Sequence, residues 1–233
     1  PRLTLETGEN DASAYYSSGS GSNELIFNYT LNSGDVSSDL DYKNTTALSL
    51  ANPTPSQVAT PSFSGSANSI TISGNYAYVG RTSQDGIAVV DISDPTDPRT
   101  PVYESTTEDV LGIAIKDNYA YAAARGSGLA IIDISDPTNP GTPIYKDTDD
   151  GLAYDLALKG NYAYVAAGSK GLAVIDISNP TNPGTPVYRD TNGEANGVTI
   201  NGNYAYVADN TSGLAVIDIS NPTSPGAPVY RDT

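Results

Sequence analysis

Ten charged side chains, spaced along the last two thirds of the chain, are candidates for binding a ligand. Three are cations that could bind carboxylates or other anions, and seven are acids that could accept hydrogen bonds from sugar hydroxyls or hold a calcium ion. They are Arg81, Asp85, Glu108, Asp109, Arg125, Asp149, Asp150, Lys170, Glu194 and Asp209. Each falls between two short apolar runs, so we expect all of them to lie in loops.

Two adjacent acid pairs raise the possibility of glycoside hydrolysis, a reaction that uses two carboxylates flanking the scissile bond. The pairs are Glu108 with Asp109 and Asp149 with Asp150. Adjacent side chains in an extended chain point to opposite sides, which disfavours their joint action on one bond. The chain also has no His and no Cys, which excludes the usual histidine base and the thiolate nucleophile. We therefore predict that the protein is not an enzyme and has no catalytic residues.

A second set of acids recurs in register at Asp91, Asp133, Asp176 and Asp218, each before an Ile-Ser-Asn/Asp-Pro loop. These loops, at 91–98, 133–140, 176–183 and 218–225, are rich in oxygen and could hold Ca²⁺. They lack the DxDxDG spacing of a calcium loop, and their paired prolines stiffen the backbone without any ion. We favour turns in which the carboxylate accepts hydrogen bonds from nearby amides, and we predict no metal site or cofactor.

The loops that carry these residues belong to a repeated unit. The 32-residue stretches 160–191 and 202–233 differ at six positions, and the first tyrosine of the NYAY element recurs at 76, 119, 162 and 204. Each unit contains four short runs that alternate with Gly, Asn, Asp and Pro, which predicts four antiparallel strands. Runs such as Leu214–Ile219 are apolar on both faces, so each sheet must lie between neighbours. This predicts a β-propeller with blades at 66–106, 107–148, 149–191 and 192–233.

The third strand of each unit carries a recognisable signature. LAVIDIS at 172–178 and 214–220, LAIIDIS at 129–135 and IAVVDIS at 87–93 resemble the LVIVD repeat of secreted and surface proteins from bacteria and archaea. The resemblance implies a propeller and an extracellular or cell-surface location. It brings no catalytic motif. Four blades are the lower limit for a closed ring, so the ring either closes with four or is completed by other segments.

Residues 1–50 stand outside the repeat. Their predicted strands are Leu3–Glu6, Ala12–Tyr16, Glu24–Leu31 and Ala47–Leu50. PRLTLETG and AYYSSGSGSNELIFNYTLNSGD resemble the middle of the immunoglobulin-like domains in bacterial adhesins, which implies a partial β-sandwich with unsatisfied edges. Residues 51–65 are a Pro/Ser/Thr linker or part of a decayed fifth unit, since Ala51-Asn52-Pro53-Thr54 is similar to Ser178-Asn179-Pro180-Thr181.

Composition limits the partners of the chain. With 11 Lys and Arg against 27 Asp and Glu, the formal charge of −16 disfavours nucleic acid and anionic membranes. No apolar run is long enough to span a membrane, and the opening at Pro1 without Met indicates a processed or trimmed chain.

Asn28, Asn44 and Asn210 fit the N-glycosylation pattern. The NYAY tyrosines are an aromatic platform for sugars or, as we favour, core side chains.

The variation among the units suggests where a ligand would bind. The loops between second and third strands and the links between blades vary, whereas the GNY and SNPT loops of the opposite face hardly change. This pattern is typical of a binding surface on a fixed frame, and neutral drift explains it equally. We expect a non-catalytic extracellular structural or adhesive protein that assembles into homo-oligomers or fibres by strand donation at its amino-terminal sheet. The alternative is a propeller that binds glycans or a calcium-bridged partner through the variable loops.

Overall fold

The computed structural model describes residues 63–83, 85–149 and 152–231, together with the strands at 2–5, 12–18, 26–28 and 48–49. The chain divides into two compact units, Pro1–Gln57 and Val58–Thr233. No helix among the described residues is long and apolar enough to cross a membrane. The all-β prediction is confirmed, since the regular structure of the described residues is strand apart from one short 3₁₀ turn at Asn210–Ser212.

The amino-terminal unit contains one four-stranded antiparallel sheet. Its strands are β1 (Arg2–Leu5), β2 (Ala12–Ser18), β3 (Ile26–Asn28) and β4 (Leu48–Ser49). Their order in the sheet is β3-β2-β1-β4, and Leu3 pairs with Ala14 on one side and with Leu48 on the other. Each of the four described strands overlaps one of the predicted strands. The immunoglobulin-like resemblance of this unit stays a prediction.

The second unit contains four sheets of four antiparallel strands, each with its strands in chain order. The first blade is β5 (Ser66–Ser73), β6 (Tyr76–Thr82), β7 (Gly86–Asp91) and β8 (Val102–Glu104). The second blade is β9 (Gly112–Lys116), β10 (Tyr119–Ala123), β11 (Leu129–Asp133) and β12 (Ile144–Lys146). The third blade is β13 (Asp155–Lys159), β14 (Tyr162–Ala166), β15 (Leu172–Asp176) and β16 (Val187–Arg189). The fourth blade is β17 (Gly197–Asn201), β18 (Tyr204–Ala208), β19 (Leu214–Asp218) and β20 (Val229–Arg231).

The blades pack face to face because their central strands are apolar on both sides of the pleat. The first strands β5, β9, β13 and β17 lie side by side in chain order. We call the side of a blade that looks toward the next blade its forward face, and the other side its back face. In the second and third blades the central strands bury residues of both faces, as alternating Ala163, Tyr164 and Val165 illustrate.

Three buried apolar clusters hold the four blades together. One joins the first blade to the second, one the second to the third, and one the third to the fourth. A ring closed by four blades would need a fourth cluster between the last blade and the first. Among the described residues there is no such cluster, and the outer faces of the first and fourth blades carry exposed apolar side chains such as Ile70 and Leu214. We call these two surfaces the end faces.

The segment that enters the first blade is described from Phe63 onward. Phe63 and Ser64 are not in a strand. The Phe63 ring packs edge to face on Tyr103, with centroids 6.2 Å apart, and the Ser64 amide donates to the Tyr103 hydroxyl at 2.9 Å. This stretch therefore covers a corner of the back face of the first blade. Residues 51–62 lie outside the described residues.

Candidate ligand-binding rim

The loops between second and third strands and the links between blades meet at one end of the propeller, as predicted. The amide of Val110 donates to the carbonyl of Arg81 at 2.9 Å, and the amide of Ala153 donates to the carbonyl of Arg125 at 2.9 Å. Gly168 and Ala195 exchange two such bonds at the next junction. We call this surface the variable rim, and its described residues are 81–83, 85–86, 106–111, 125–128, 147–149, 152–154, 167–171, 191–196 and 209–213.

Arg81 lies inside the rim rather than on its surface. Its guanidinium donates to the carbonyls of Ser64 at 3.1 Å and Asp85 at 2.9 Å, and it stacks over the Tyr103 ring at 4.4 Å. Burial lowers the pKa of the Arg81 side chain from its usual value, yet arginine remains charged at neutral pH. The Arg81 cation therefore ties the first rim loop to the entry segment, and its described contacts are all within the chain.

Asp209 is also buried, and it also stabilises a loop of the propeller. Its carboxylate accepts hydrogen bonds from the Thr191 hydroxyl at 2.6 Å and from the Gly193 amide at 2.9 Å. Asp209 and Arg81 occupy equivalent places at the end of the second strand, where the middle blades carry the buried alanines Ala124 and Ala167. The two outer blades thus replace a buried methyl group by a charge that fixes a neighbouring loop.

Other predicted rim residues do come together near the junction of the first two blades. The Arg125 guanidinium lies 3.5 Å from the Asp109 carboxylate, which also accepts a hydrogen bond from the Ser83 amide at 2.9 Å. Glu108 is exposed beside the same loop, and its carbonyl is fixed by the Thr106 hydroxyl at 2.6 Å. This arrangement presents one cation and two acids on loops whose backbones are held in place.

The remaining predicted residues lie apart from this group. Lys170 and Glu194 are exposed at the junction of the third and fourth blades. Here a small cavity of about 140 Å³ is lined by Leu152, Tyr154, Gly168, Ser169 and Glu194. Asp85 and Asp149 are exposed in turns with positive φ, and Asp150 lies outside the described residues. The described residues of the rim therefore present charged groups at separate places.

The fourth strand of each blade supplies a tyrosine that the sequence analysis did not single out. The hydroxyls of Tyr103, Tyr145 and Tyr230 accept hydrogen bonds from the amides of Ser64, Thr107 and Asn192 in the segment entering their own blade. Burial, followed by the Asp149 and Asp147 carboxylates, raises the pKa of the corresponding Tyr188. The signal that could have identified these residues is a Pro-Val-Tyr or Pro-Ile-Tyr triplet at the same place in every unit.

The opposite face is built from the recurring acids, and the turn interpretation is confirmed. Asp91, Asp133, Asp176 and Asp218 each accept a hydrogen bond at 2.8 Å from the amide of the serine two residues later. That hydrogen bond is the main cause that lowers the pKa of all four carboxyls. Among the described residues no three acids come close enough to hold a metal ion.

The NYAY tyrosines belong mainly to the core, which confirms the favoured interpretation. Tyr78, Tyr121 and Tyr164 are buried between blades. Burial raises the pKa of all three hydroxyls, and that of Tyr121 reaches about 12. Of the sequons, Asn210 is exposed in the 3₁₀ turn, Asn28 ends β3, and Asn44 lies outside the described residues.

The family of the chain follows from a comparison of its repeats with known protein families. The model of the LVIVD repeat matches residues 64–100, 109–144, 150–187 and 192–228, which together make up more than half of the chain. The chain belongs to the LVIVD repeat family. The comparison with curated proteins gives no match to this LVIVD chain.

Solved structures support the propeller fold. The computationally designed Ika4 protein superposes with a TM-score of 0.54 at 18% identity, over 68% of this chain and 94% of its own. The designed Ika8 protein gives 0.54 at 16% identity, over 67% of this chain and 47% of its own. The Cps50 (Swd1) β-propeller domain of Myceliophteria thermophila gives 0.55 at 10% identity, over 75% and 59%. The LVIVD chain thus spans about half the length of the Ika8 chain and of the Cps50 domain.

Proposed function

We propose that this LVIVD repeat protein is a non-catalytic extracellular or cell-surface module with a structural or adhesive role, and that the variable rim is its contact surface. One observation carries the proposal: the rim loops are fixed by hydrogen bonds from within, whereas Arg125, Glu108, Lys170 and Glu194 project from them. Fixed loops with exposed and differing tips suit recognition, because little loop entropy is lost on binding.

The chemistry of the rim favours binding over catalysis. A general base and a nucleophile must lie within hydrogen-bond reach of each other or of one substrate. Asp209 and Arg81 are instead used by backbone and side-chain groups of the scaffold. The sequence also provides no histidine or cysteine. The proposed extracellular location rests on the resemblance to LVIVD repeats of secreted and surface proteins.

Binding of the intact chain to a glycan array and to whole cells tests this function. Arg125→Ala combined with Lys170→Ala should reduce binding at least about tenfold, which corresponds to the loss of about 1.4 kcal/mol. Arg99→Ala is the matched control, because Arg99 is an exposed arginine on the opposite face that lies 3.9 Å from Asp97. Binding that is equally strong in the rim variant, or that falls equally in the control, would refute the role of the rim.

A second proposal, self-assembly by strand donation, concerns the amino-terminal unit. In its described strands β3 and β4 each pair on one side only, which leaves two edges for β-augmentation. The described parts of these edges are three and two residues long, and a donated strand would extend along them by main-chain hydrogen bonds. Strand donation predicts fibres in negative-stain micrographs that are lost when Phe27 is replaced by Pro, whereas a chain that forms only discrete particles would contradict it.

A further inference from the structure

The two outer blades each leave an apolar face uncovered. On the back face of the first blade, Ile70 is 66% exposed and Ile72 is 63% exposed. On the forward face of the fourth blade, Tyr204 is 46% exposed and Leu214 is 37% exposed. Side chains of this kind are costly to leave in water, at about 25 cal/mol per Å² of apolar surface. Two such faces on one molecule mark an interaction surface.

The contact between the third and fourth blades identifies what covers a forward face. Tyr164, Ala166, Leu172 and Val174 of the third blade pack against the fourth blade, and Leu172 is completely buried there. The fourth blade repeats these four residue types at the equivalent positions Tyr206, Ala208, Leu214 and Val216. Its forward face is therefore chemically the same surface as one that already binds the back of an LVIVD blade.

The same comparison applies to the back face of the first blade. Val198 of the fourth blade packs on the third blade and is 8% exposed, whereas the equivalent residue of the first blade is the exposed Ile70. A cavity of about 490 Å³ opens on this face. It is lined by Phe63, Ala67, Asn68, Ser69, Ile70, Ala77, Val79, Val90 and Ile92. Most of these positions are the ones that the fourth blade uses to contact the third.

A polar contact between blades is reproduced at the ends as well. The Arg189 guanidinium on the forward face of the third blade donates to the carbonyl of Pro225 in the fourth blade. Arg231 occupies the place of Arg189 in the fourth blade, and Pro98 occupies the place of Pro225 in the first. An arginine and a carbonyl acceptor are thus present at matching positions on the two end faces.

We propose that a second copy of this chain covers these faces, with the forward face of one fourth blade packed on the back face of the other first blade. The contact is head to tail, so it must either close into a ring or grow into a filament. Since the four blades match 59% of the Cps50 β-propeller domain, one copy is smaller than that propeller and two copies provide enough blades to close a ring. The assembly is a closed pair with two identical contacts.

Two single substitutions on exposed residues test the contact in the full chain. Ile70→Asp alters only the back face of the first blade, and Leu214→Asp alters only the forward face of the fourth. Light scattering coupled to size exclusion should give about twice 24.2 kDa for the parent chain and 24.2 kDa for either variant. Leu152→Asp is the control, because Leu152 is an exposed leucine on the rim and its loss should leave the pair intact.

Mixing the two variants tests the head-to-tail geometry. Each variant retains one intact face, so an equimolar mixture should form a mixed pair held by a single contact. Native mass spectrometry distinguishes this pair from pairs of either variant with itself. Circular dichroism and thermal unfolding of the separate variants show whether each has folded, so that a lost pair is not mistaken for unfolding.

The possible outcomes are distinct. A parent chain that is monomeric, for example because its own amino-terminal residues cover Ile70, overturns the proposal. If the pair survives either substitution, the contact lies elsewhere and the proposal is overturned. The same holds if the Leu214→Asp variant still forms a pair in which the first blades of the two copies contact each other. If the parent chain forms assemblies larger than a pair and both variants lose them, the head-to-tail contact is supported and the closed pair is refuted.

Discussion

The loops of the opposite face depend on single carboxylate or amide oxygens. Asp94 and Asp136 each accept a hydrogen bond from a threonine amide at 2.9 Å and from its hydroxyl at 2.6 Å. Asn179 and Asn221 accept the same bonds in the third and fourth blades. Two blades therefore use a titrating group for a turn that the other two hold with a neutral one.

This difference predicts how the acid stability of the protein can be changed. Hydrogen bonds from Thr96 and Thr138 lower the pKa of the Asp94 and Asp136 carboxyls, so their contribution is present above the ordinary value of about 3.9 and is lost as the pH falls through the lowered pKa. Asp94→Asn with Asp136→Asn should leave the melting temperature at pH 7 almost unchanged and should reduce its decline below about pH 4. Thermal unfolding at several pH values measures this, and an equal decline in parent and variant would contradict it.

The buried carboxylate of Asp209 makes a second prediction at the residue scale. Asp209→Ala leaves the Thr191 hydroxyl and the Gly193 amide without their acceptor, which should lower the free energy of unfolding by about 1–3 kcal/mol. Glu194→Ala changes an exposed acid of the same rim and should have little effect. Urea denaturation followed by tyrosine fluorescence suits this chain, which has 17 tyrosines and no tryptophan. Equal losses in the two variants would argue against the structural role of Asp209.

Sequence alone could locate the rim, but it could not distinguish the exposed rim residues from the buried residues that stabilise the rim loops. Arg81 and Asp209 fall in loops rich in turn residues, where charges are usually solvated. Their burial depends on partners that are distant in sequence: Arg81 stacks on Tyr103, and Asp209 accepts from Thr191. Tyr103 lies in the fourth strand of the same blade as Arg81, and Thr191 lies in the link that enters the blade of Asp209. These segments come together only when the blade has folded, which no local pattern encodes.

The connection into the third strand of each blade requires a glycine. Gly128 has a φ of +75°, and a Cβ at this position would lie 2.4 Å from the carbonyl oxygen of Lys146 in β12. Gly160 has a φ of +56°, but a Cβ there would meet nothing within 4 Å. A comparison of the two glycines therefore separates the energetic cost of the left-handed backbone conformation from the cost of a steric clash.

Replacing each glycine by alanine should show this difference. Gly160→Ala should cost about 1 kcal/mol, since it only places a side chain in the left-handed region. Gly128→Ala should cost about 1–3 kcal/mol more, because β11 and β12 must move apart. Chemical denaturation of the two variants gives both values, and a Gly128→Ala variant as stable as Gly160→Ala would contradict the contact.

The strands themselves were well predicted because their signals are local. The strand Leu214–Asp218 begins where the sequence placed it and is one residue shorter than the predicted run Leu214–Ile219. Short apolar runs bounded by Gly, Asn and Pro determine such strands without tertiary information. The number of blades in a ring is a different kind of quantity, since it depends on the angle between sheets that contact one another only in three dimensions.

At the scale of the whole molecule, the charge of −16 acts on any assembly of identical chains. Two copies repel each other, and salt reduces that repulsion because the Debye length falls from about 30 Å at 0.01 M to about 3 Å at 1 M. If apolar end faces hold the pair, its dissociation constant should decrease as NaCl is raised over this range. Sedimentation velocity at several salt concentrations measures the trend. A pair that weakens with salt would instead depend on ion pairs.

The third and fourth blades present the same tyrosine, alanine, leucine and valine on their forward faces, and this has an evolutionary consequence. Duplication or deletion of one unit changes the number of units before the last one, but the side chains on the forward face of the last unit stay the same. Unequal recombination between such similar units can therefore lengthen or shorten the protein without abolishing its ability to meet another blade. What selection must preserve is the pattern within a unit, while the number of units in one polypeptide is free to vary.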